Sequence, residues 1–211
     1  TLRRPLTVRG ILEGMESEIA RRVVHASGSL LPLAYVAGLL TWRHVQLLVT
    51  AGCALAVALE VIRLIVGLEW WIYDHLTREY EEDNLAGYAL ALISVTIVVF
   101  AVEPAIAVPS ILMLTLGDPI SGLLGSGDSE VLGDPGTFEV IRKRGSVLGI
   151  MFGVCTAIAL PFVTPIAAVV GGAAAMLADG LKPVIATYVI DDNLTIPLAA
   201  AGAIWVTLAL L

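Results

Sequence analysis

Long apolar runs recur along the whole chain, separated by short turns rich in charge, glycine or proline. A helix needs roughly 20 residues to cross about 30 Å of hydrocarbon. On that measure the pattern predicts seven membrane spans, at 26–40, 44–68, 85–102, 104–126, 147–163, 165–179 and 194–211. The first is short and contains Pro32, so it is expected to tilt or to cross only in part. Pro161 and Pro165 divide one apolar stretch into two helices with almost no loop, because proline removes a donor and restricts the residue before it. The expected architecture is an all-α, polytopic membrane bundle of about seven transmembrane helices. Residues 1–25 read as a basic, partly amphipathic N-terminal segment, and 26–211 as the transmembrane domain. A run of charged residues before the first apolar stretch is not the order of a signal peptide.

Composition agrees with this reading. The 211 residues are 58% hydrophobic, and the mean hydropathy is +0.91. Charge then orients the bundle. With the N-terminus in the cytosol, Arg3, Arg4, Arg9, Arg21, Arg22, Arg63, Arg78, Arg142, Lys143, Arg144 and Lys182 all fall on the inner side, and only Arg43 falls outside. This is the positive-inside bias. It makes the chain a multi-pass cell-membrane protein with its polar face in the cytosol. Net charge is nevertheless −7. The acids cluster on the same inner face, at Glu79, Glu81, Glu82, Asp83, Asp128, Glu130 and Asp134, and read as a solvated surface. So acidic a face excludes nucleic acid as a partner. Cys53 and Cys155 lie in mid-span and read as small core residues rather than a disulfide or a zinc site.

Ionisable groups inside spans are costly and mark candidate sites. Glu60 and Arg63 share one helix face at a spacing of three. They either form an ion pair that fixes packing or line a polar cavity. Asp118 stands in Leu116-Gly117-Asp118-Pro119, where proline disturbs the helix and Gly117, Gly122 and Gly125 allow close approach. A carboxylate at such a break suits a cation, and oxygen ligands with open positions suit Mg2+. Asp191-Asp192-Asn193 precedes the last span, as a helix cap or as further metal ligands. Asp179 and Lys182 lie near the same mouth. Arg142-Lys143-Arg144-Gly145-Ser146 opens the fifth span, either as flanking charge or as a polyphosphate cradle at a helix N-terminus. Arg21-Arg22 and His25 carry the same ambiguity. Carboxylates for a divalent ion, bases for phosphates and a membrane-depth cavity together suit phosphoryl transfer to a lipid, which needs mainly positioning and charge neutralisation. No GxxxxGK[ST] loop and no soluble-kinase motif is present.

The order Arg21-Arg22…His25, Glu60…Arg63, Gly117-Asp118-Pro119…Ser121…Gly125, the basic Gly-Ser loop at 142–146, and Asp191-Asp192-Asn193-Leu194-Thr195-Ile196-Pro197 resembles the dolichol kinase/phytol kinase family, in an archaeal, halophile-like style. The loop lacks the glutamate that the family often carries there. The resemblance implies a polytopic enzyme that phosphorylates a long isoprenoid alcohol from the bilayer, with Mg2+ and with CTP as donor. It implies Asp118 and Asp192 as metal ligands. Lys143, Arg144, Ser146, Arg22 and Asn193 would hold the nucleoside triphosphate. Asp118, Glu60, Arg63 and Asp192 would be the catalytic set, with the choice of base open. Two rivals are a CTP-dependent cytidylyltransferase acting on a lipid phosphate and an ion-coupled transporter. The first is disfavoured by Asp-Asp-Asn standing where an Asp-Arg-x-Asp-type element would be, the second by the absence of a repeat between halves.

Overall fold

The computed structural model describes residues 22–67, 84–124, 130–132, 139–185 and 188–211. A helical turn over 22–27 precedes α1 (Leu30–Val36), which stops at Gly38 in the left-handed region, φ 73°. Thr41 then starts α2 (Trp42–Val61). Its hydroxyl accepts the His44 N–H while the Thr41 N–H donates to His44 Nδ1, a reciprocal cap. A π-helical turn, Ile62–Val66, extends α2 to Gly67, again left-handed at φ 69°. Next come α3 (Gly87–Ala101) and α4 (Pro104–Leu112). A second π-turn, Met113–Gly117, leads from α4 straight into α5 (Asp118–Leu124). The chain ends with α6 (Gly145–Ala159), α7 (Pro165–Gly180) and α8 (Asp192–Leu210).

The rod from Pro104 to Leu124 is the hub. Its most apolar window is 72% buried, against 22% for Trp42–Ile65 and 33% for α8. Met113, Leu114, Ile111 and Ile106 meet Met151, Cys155, Ile196 and Ile204 in one continuous core. The α8–α7 and α7–α6 seams form the tightest face. A Cβ on Gly171 would lie 2.5 Å from Ile204, and one on Gly172 would lie 2.9 Å from the Thr156 backbone nitrogen. Small residues at crossings let helix backbones approach where lipid supplies no hydrophobic drive.

The helical majority matches the expected class, and Trp42–Ile65, Pro104–Leu124 and Asp192–Leu210 are long and apolar enough to cross a membrane. These helices mark a membrane protein. Within 26–40, expected to tilt or to cross only in part, α1 has seven residues. One expectation changes: the chain is not all-α. Four short antiparallel strands, β1 (Glu130–Leu132), β2 (Glu139–Arg142), β3 (Leu181–Ile185) and β4 (Tyr188–Val189), form a sheet in that order. The apolar helices α3, α6 and α7 have 15, 15 and 16 residues. At about 1.5 Å per residue they reach only about 22–24 Å. Proline and glycine fix those lengths: Pro104 follows α3, Pro161 follows α6, and α7 gives way at Gly180 to strand. The expected acids at 79–83, Asp128 and Asp134, together with Arg78, Gly125 and nearly all of the 1–25 segment, lie outside the described residues.

Candidate functional site

The sheet brings the site together. Strand β2 ends at Arg142, and β3 starts directly after α7, so Arg142 pairs with Leu181 and Ile141 with Lys182. One further bond, from the Lys143 N–H to Gly180 O at 3.0 Å, fixes the backbone that leads into α6 against the end of α7. Lys143 is thereby held beside Asp179, and its Nζ lies 2.5 Å from Asp179 Oδ1, 3.4 Å from Asp118 Oδ1 and 3.6 Å from Asp192 Oδ2. Lys182 Nζ sits 2.6 Å from Asp192 Oδ2. Asp118, Asp179 and Asp192 each offer one oxygen, and these atoms lie within 4.8 Å of one another. The Asp179 side chain is 0% exposed, and its Oδ2 has no hydrogen-bond partner among the described residues. Such an atom is rare in a folded interior and calls for an explanation. Burial alone draws Lys143 toward neutrality, but Asp118, Asp192 and Asp179 together outweigh it and hold its pKa above the ordinary lysine value.

The Asp191-Asp192-Asn193 triplet divides its labour. Asp191 is the cap of α8, accepting the Asn193 N–H at 3.0 Å and the Asn193 side-chain amide. Asp192 turns to the carboxylate cluster. Asn193, expected to hold nucleotide, donates its side-chain amide to Asp191, and its carbonyl accepts a 2.8 Å bond from Ser94 Oγ. That carbonyl is the one Pro197 leaves unpaired within the helix.

Asp118 does not sit at a break. The helix continues through Pro119, and the irregularity is the π-turn just before it. Continuing its i→i+5 pattern would pair Leu114 O with the nitrogen of residue 119, a proline without N–H. His25 Nε2 lies 3.1 Å from that oxygen and serves as its donor. Arg22 packs over Gly122, with Nη2 3.3 Å from where a Cβ would stand. Gly122 is four residues after Asp118, so Arg22 covers the same helix face one turn on.

Glu60 and Arg63 form a different network. Glu60 is 1% exposed and accepts from Arg63 Nε at 3.1 Å, Arg63 Nη2 at 2.7 Å, the Ala86 N–H at 3.0 Å and the Tyr88 hydroxyl. Arg63 also donates to Asn84 O. The acids grouped around Lys143 are Asp118, Asp179 and Asp192, whereas Glu60 ties the end of α2 to the start of α3. Arg144 and Ser146 are exposed at the N-terminus of α6.

The sequence puts Asp179 and Lys182 near the mouth without marking them as ligands. An acid closing an otherwise apolar helix was the available signal. Ser94 and Tyr88 carried no signal, because single hydroxyls in apolar helices are common. No family model matches the chain, and neither a curated protein nor a solved structure matches it.

Proposed function

We propose that this protein is a membrane-embedded lipid kinase of the dolichol kinase/phytol kinase type. It transfers the terminal phosphate of a nucleoside triphosphate, CTP on the resemblance, to the hydroxyl of a long-chain isoprenoid alcohol. The observation that carries the reading is the carboxylate cluster of Asp118, Asp179 and Asp192 with two lysines, at one end of a set of apolar helices. Hard oxygen donors and an unpartnered buried oxygen on Asp179 fit Mg2+. Asp118, Asp179 and Asp192 would hold it, and when bound it supplies positive charge against the phosphates of the donor. Lys143, Arg144, Ser146 and the N-terminus of α6 would take those phosphates. The alcohol oxygen attacks the terminal phosphorus, the bond to the leaving diphosphate breaks, and a carboxylate of the cluster takes the hydroxyl proton.

The lipid half of the reading rests on a groove of about 440 Å³ between α1, α2, α3 and α4. Leu31, Pro32, Leu48, Val95 and Ile111 line it, and Ser27 and Thr115 are its hydroxyl-bearing residues. An isoprenoid chain enters it sideways from the bilayer. In this reading the helices form the seven-span bundle with the N-terminus and the carboxylate cluster on the cytosolic side. The short helices are matched by local thinning of the bilayer.

The test is to incubate membranes containing the protein with labelled nucleoside triphosphates, Mg2+ and a panel of isoprenoid alcohols. A phosphorylated lipid with release of the nucleoside diphosphate is expected, and Asp118→Asn should lower the rate about a hundredfold or more. Release of pyrophosphate would point to the cytidylyltransferase. Lack of any nucleotide turnover would favour the transporter.

A further inference from the structure

The resting place of Lys143 goes deeper into the same site and rests on the cation reading above. Its ammonium contacts all three carboxylates, at 2.5, 3.4 and 3.6 Å. Those carboxylates offer oxygens within 4.8 Å of one another. A point between three such oxygens is where a divalent ion gains most, since Mg2+ needs its ligands at about 2.0–2.1 Å. An ammonium and a divalent ion cannot share it. Lys182 is already engaged with Asp192 at 2.6 Å, which leaves Lys143 as the counter-charge of the fully buried Asp179. Among the described residues Asp179 Oδ2 has no hydrogen-bond partner, so coordinating capacity remains that Lys143 does not use. Only the Lys143 side chain needs to move: its backbone is pinned to Gly180 O, and the side chain is 21% exposed, enough for an exit toward solvent.

We propose that the Lys143 ammonium and a divalent cation compete for one position among Asp118, Asp179 and Asp192. Cation binding drives Lys143 off the carboxylates and toward the exposed N-terminus of α6. Loading the ion and presenting Lys143 to a phosphate are then one event. An ammonium on the cluster also keeps the buried acids compensated until the ion arrives, because a buried carboxylate without a counter-charge is strongly unfavourable.

The test titrates the purified full-length protein in detergent with Mn2+ alone, reading free Mn2+ by electron paramagnetic resonance, without nucleotide or lipid. Lys143→Met should bind Mn2+ about tenfold tighter than the parent or better, because a cation a few ångströms away has been removed. Lys143→Arg, which keeps the charge, should bind no tighter than the parent. Adding Asp179→Asn to Lys143→Met should erase the gain. Lys143→Gln serves if the Met variant does not elute as a single folded species. Equal or weaker Mn2+ binding by the neutral variants overturns the proposal, as does the lack of saturable Mn2+ binding in any of them. Failure of the kinase reading is seen separately. Tightened Mn2+ binding with no lipid phosphorylation removes that reading alone, and lipid phosphorylation without tightening removes this inference alone.

Discussion

Carbonyls that a downstream proline leaves without a donor explain polar residues that otherwise look out of place in apolar helices. Pro197 deprives Asn193 O of its helical donor, and Ser94 replaces it from α3 at 2.8 Å. Pro119 does the same to Leu114 O, and His25 replaces it at 3.1 Å. In hydrocarbon an unpaired carbonyl has no water to turn to. Ser94→Ala is therefore expected to cost about 1–3 kcal/mol, seen as a lower melting temperature in detergent, and to loosen Asp192 beside the freed carbonyl. Glu60 is the sharper case. Its two oxygens take four donors, which leaves little capacity for a substrate proton. Glu60→Gln leaves Arg63 facing a neutral partner in a site where the Arg63 side chain is 9% exposed. We expect a loss of about 3 kcal/mol in stability with nucleotide affinity unchanged in the folded fraction, measured by thermal melts and calorimetric titration. Normal melting with abolished phosphoryl transfer would instead make Glu60 a catalytic group.

At the scale of elements, the sheet and the α6–α7–α8 seams decide where the acids meet. Gly172 is where α6 and α7 touch: a Cβ there would meet Thr156 Oγ1 at 2.3 Å and the Thr156 backbone at 2.9 Å. A hydroxyl can rotate away, but backbone cannot, so Gly172→Ala must push the helices apart. Overpacking of this kind costs about 1–3 kcal/mol. Because Asp179 rides on α7, the same variant should weaken Mn2+ binding, measured by the same titration. Much of this scaffold was legible in the sequence. The apolar runs at 44–68, 104–126 and 194–211 became the three long helices, and the prolines marked where others stop. The convergence of residues 118 and 192 followed from alternating those runs. The strands were not legible, because they have two to five residues, too few for a period-2 signal. The sequence Gly133-Asp134-Pro135-Gly136 carries turn chemistry between two Val-containing segments, yet it reads equally as an acidic loop. Without the strands, nothing in the sequence set Lys143 beside Asp179. The split between Asp191 as cap and Asp192 as cluster acid was hidden too, since adjacent carboxylates are chemically alike.

At the scale of the molecule, chain order places the cluster, Lys143, Lys182 and the sheet at one end of the helices and Arg43 and Glu103 at the other. The helix that decides the topology is α3, which has only 15 residues. Both of its ends are pinned to α2. Gln46 Nε2 donates to Val99 O at 3.1 Å near one end, and Tyr88 donates to Glu60 near the other. Residue numbers rise along α2 as they fall along α3, so the two run antiparallel over most of their length. In the proposed bundle a helix tied in this way crosses the same slab as its partner, with its polar ends at a locally thinned bilayer. In that proposed bundle, the described residues between 43 and 144 cross three times, through α2, α3 and the Pro104–Leu124 rod. An odd number of crossings puts the two residues on opposite faces. In a background with Cys53 and Cys155 replaced by alanine, Arg144→Cys should react with a membrane-impermeant maleimide only from the cytosolic face. Arg43→Cys should react only from the outer one. Both positions are exposed in the folded chain, so lack of access would not explain a missing reaction. Labelling of both from one face would mean that α3 dips into the bilayer and returns. The Gln46–Val99 and Glu60–Tyr88 ties could not then hold together across a membrane, and the shared end that gathers Asp118, Asp179 and Asp192 would have to be reached by another path.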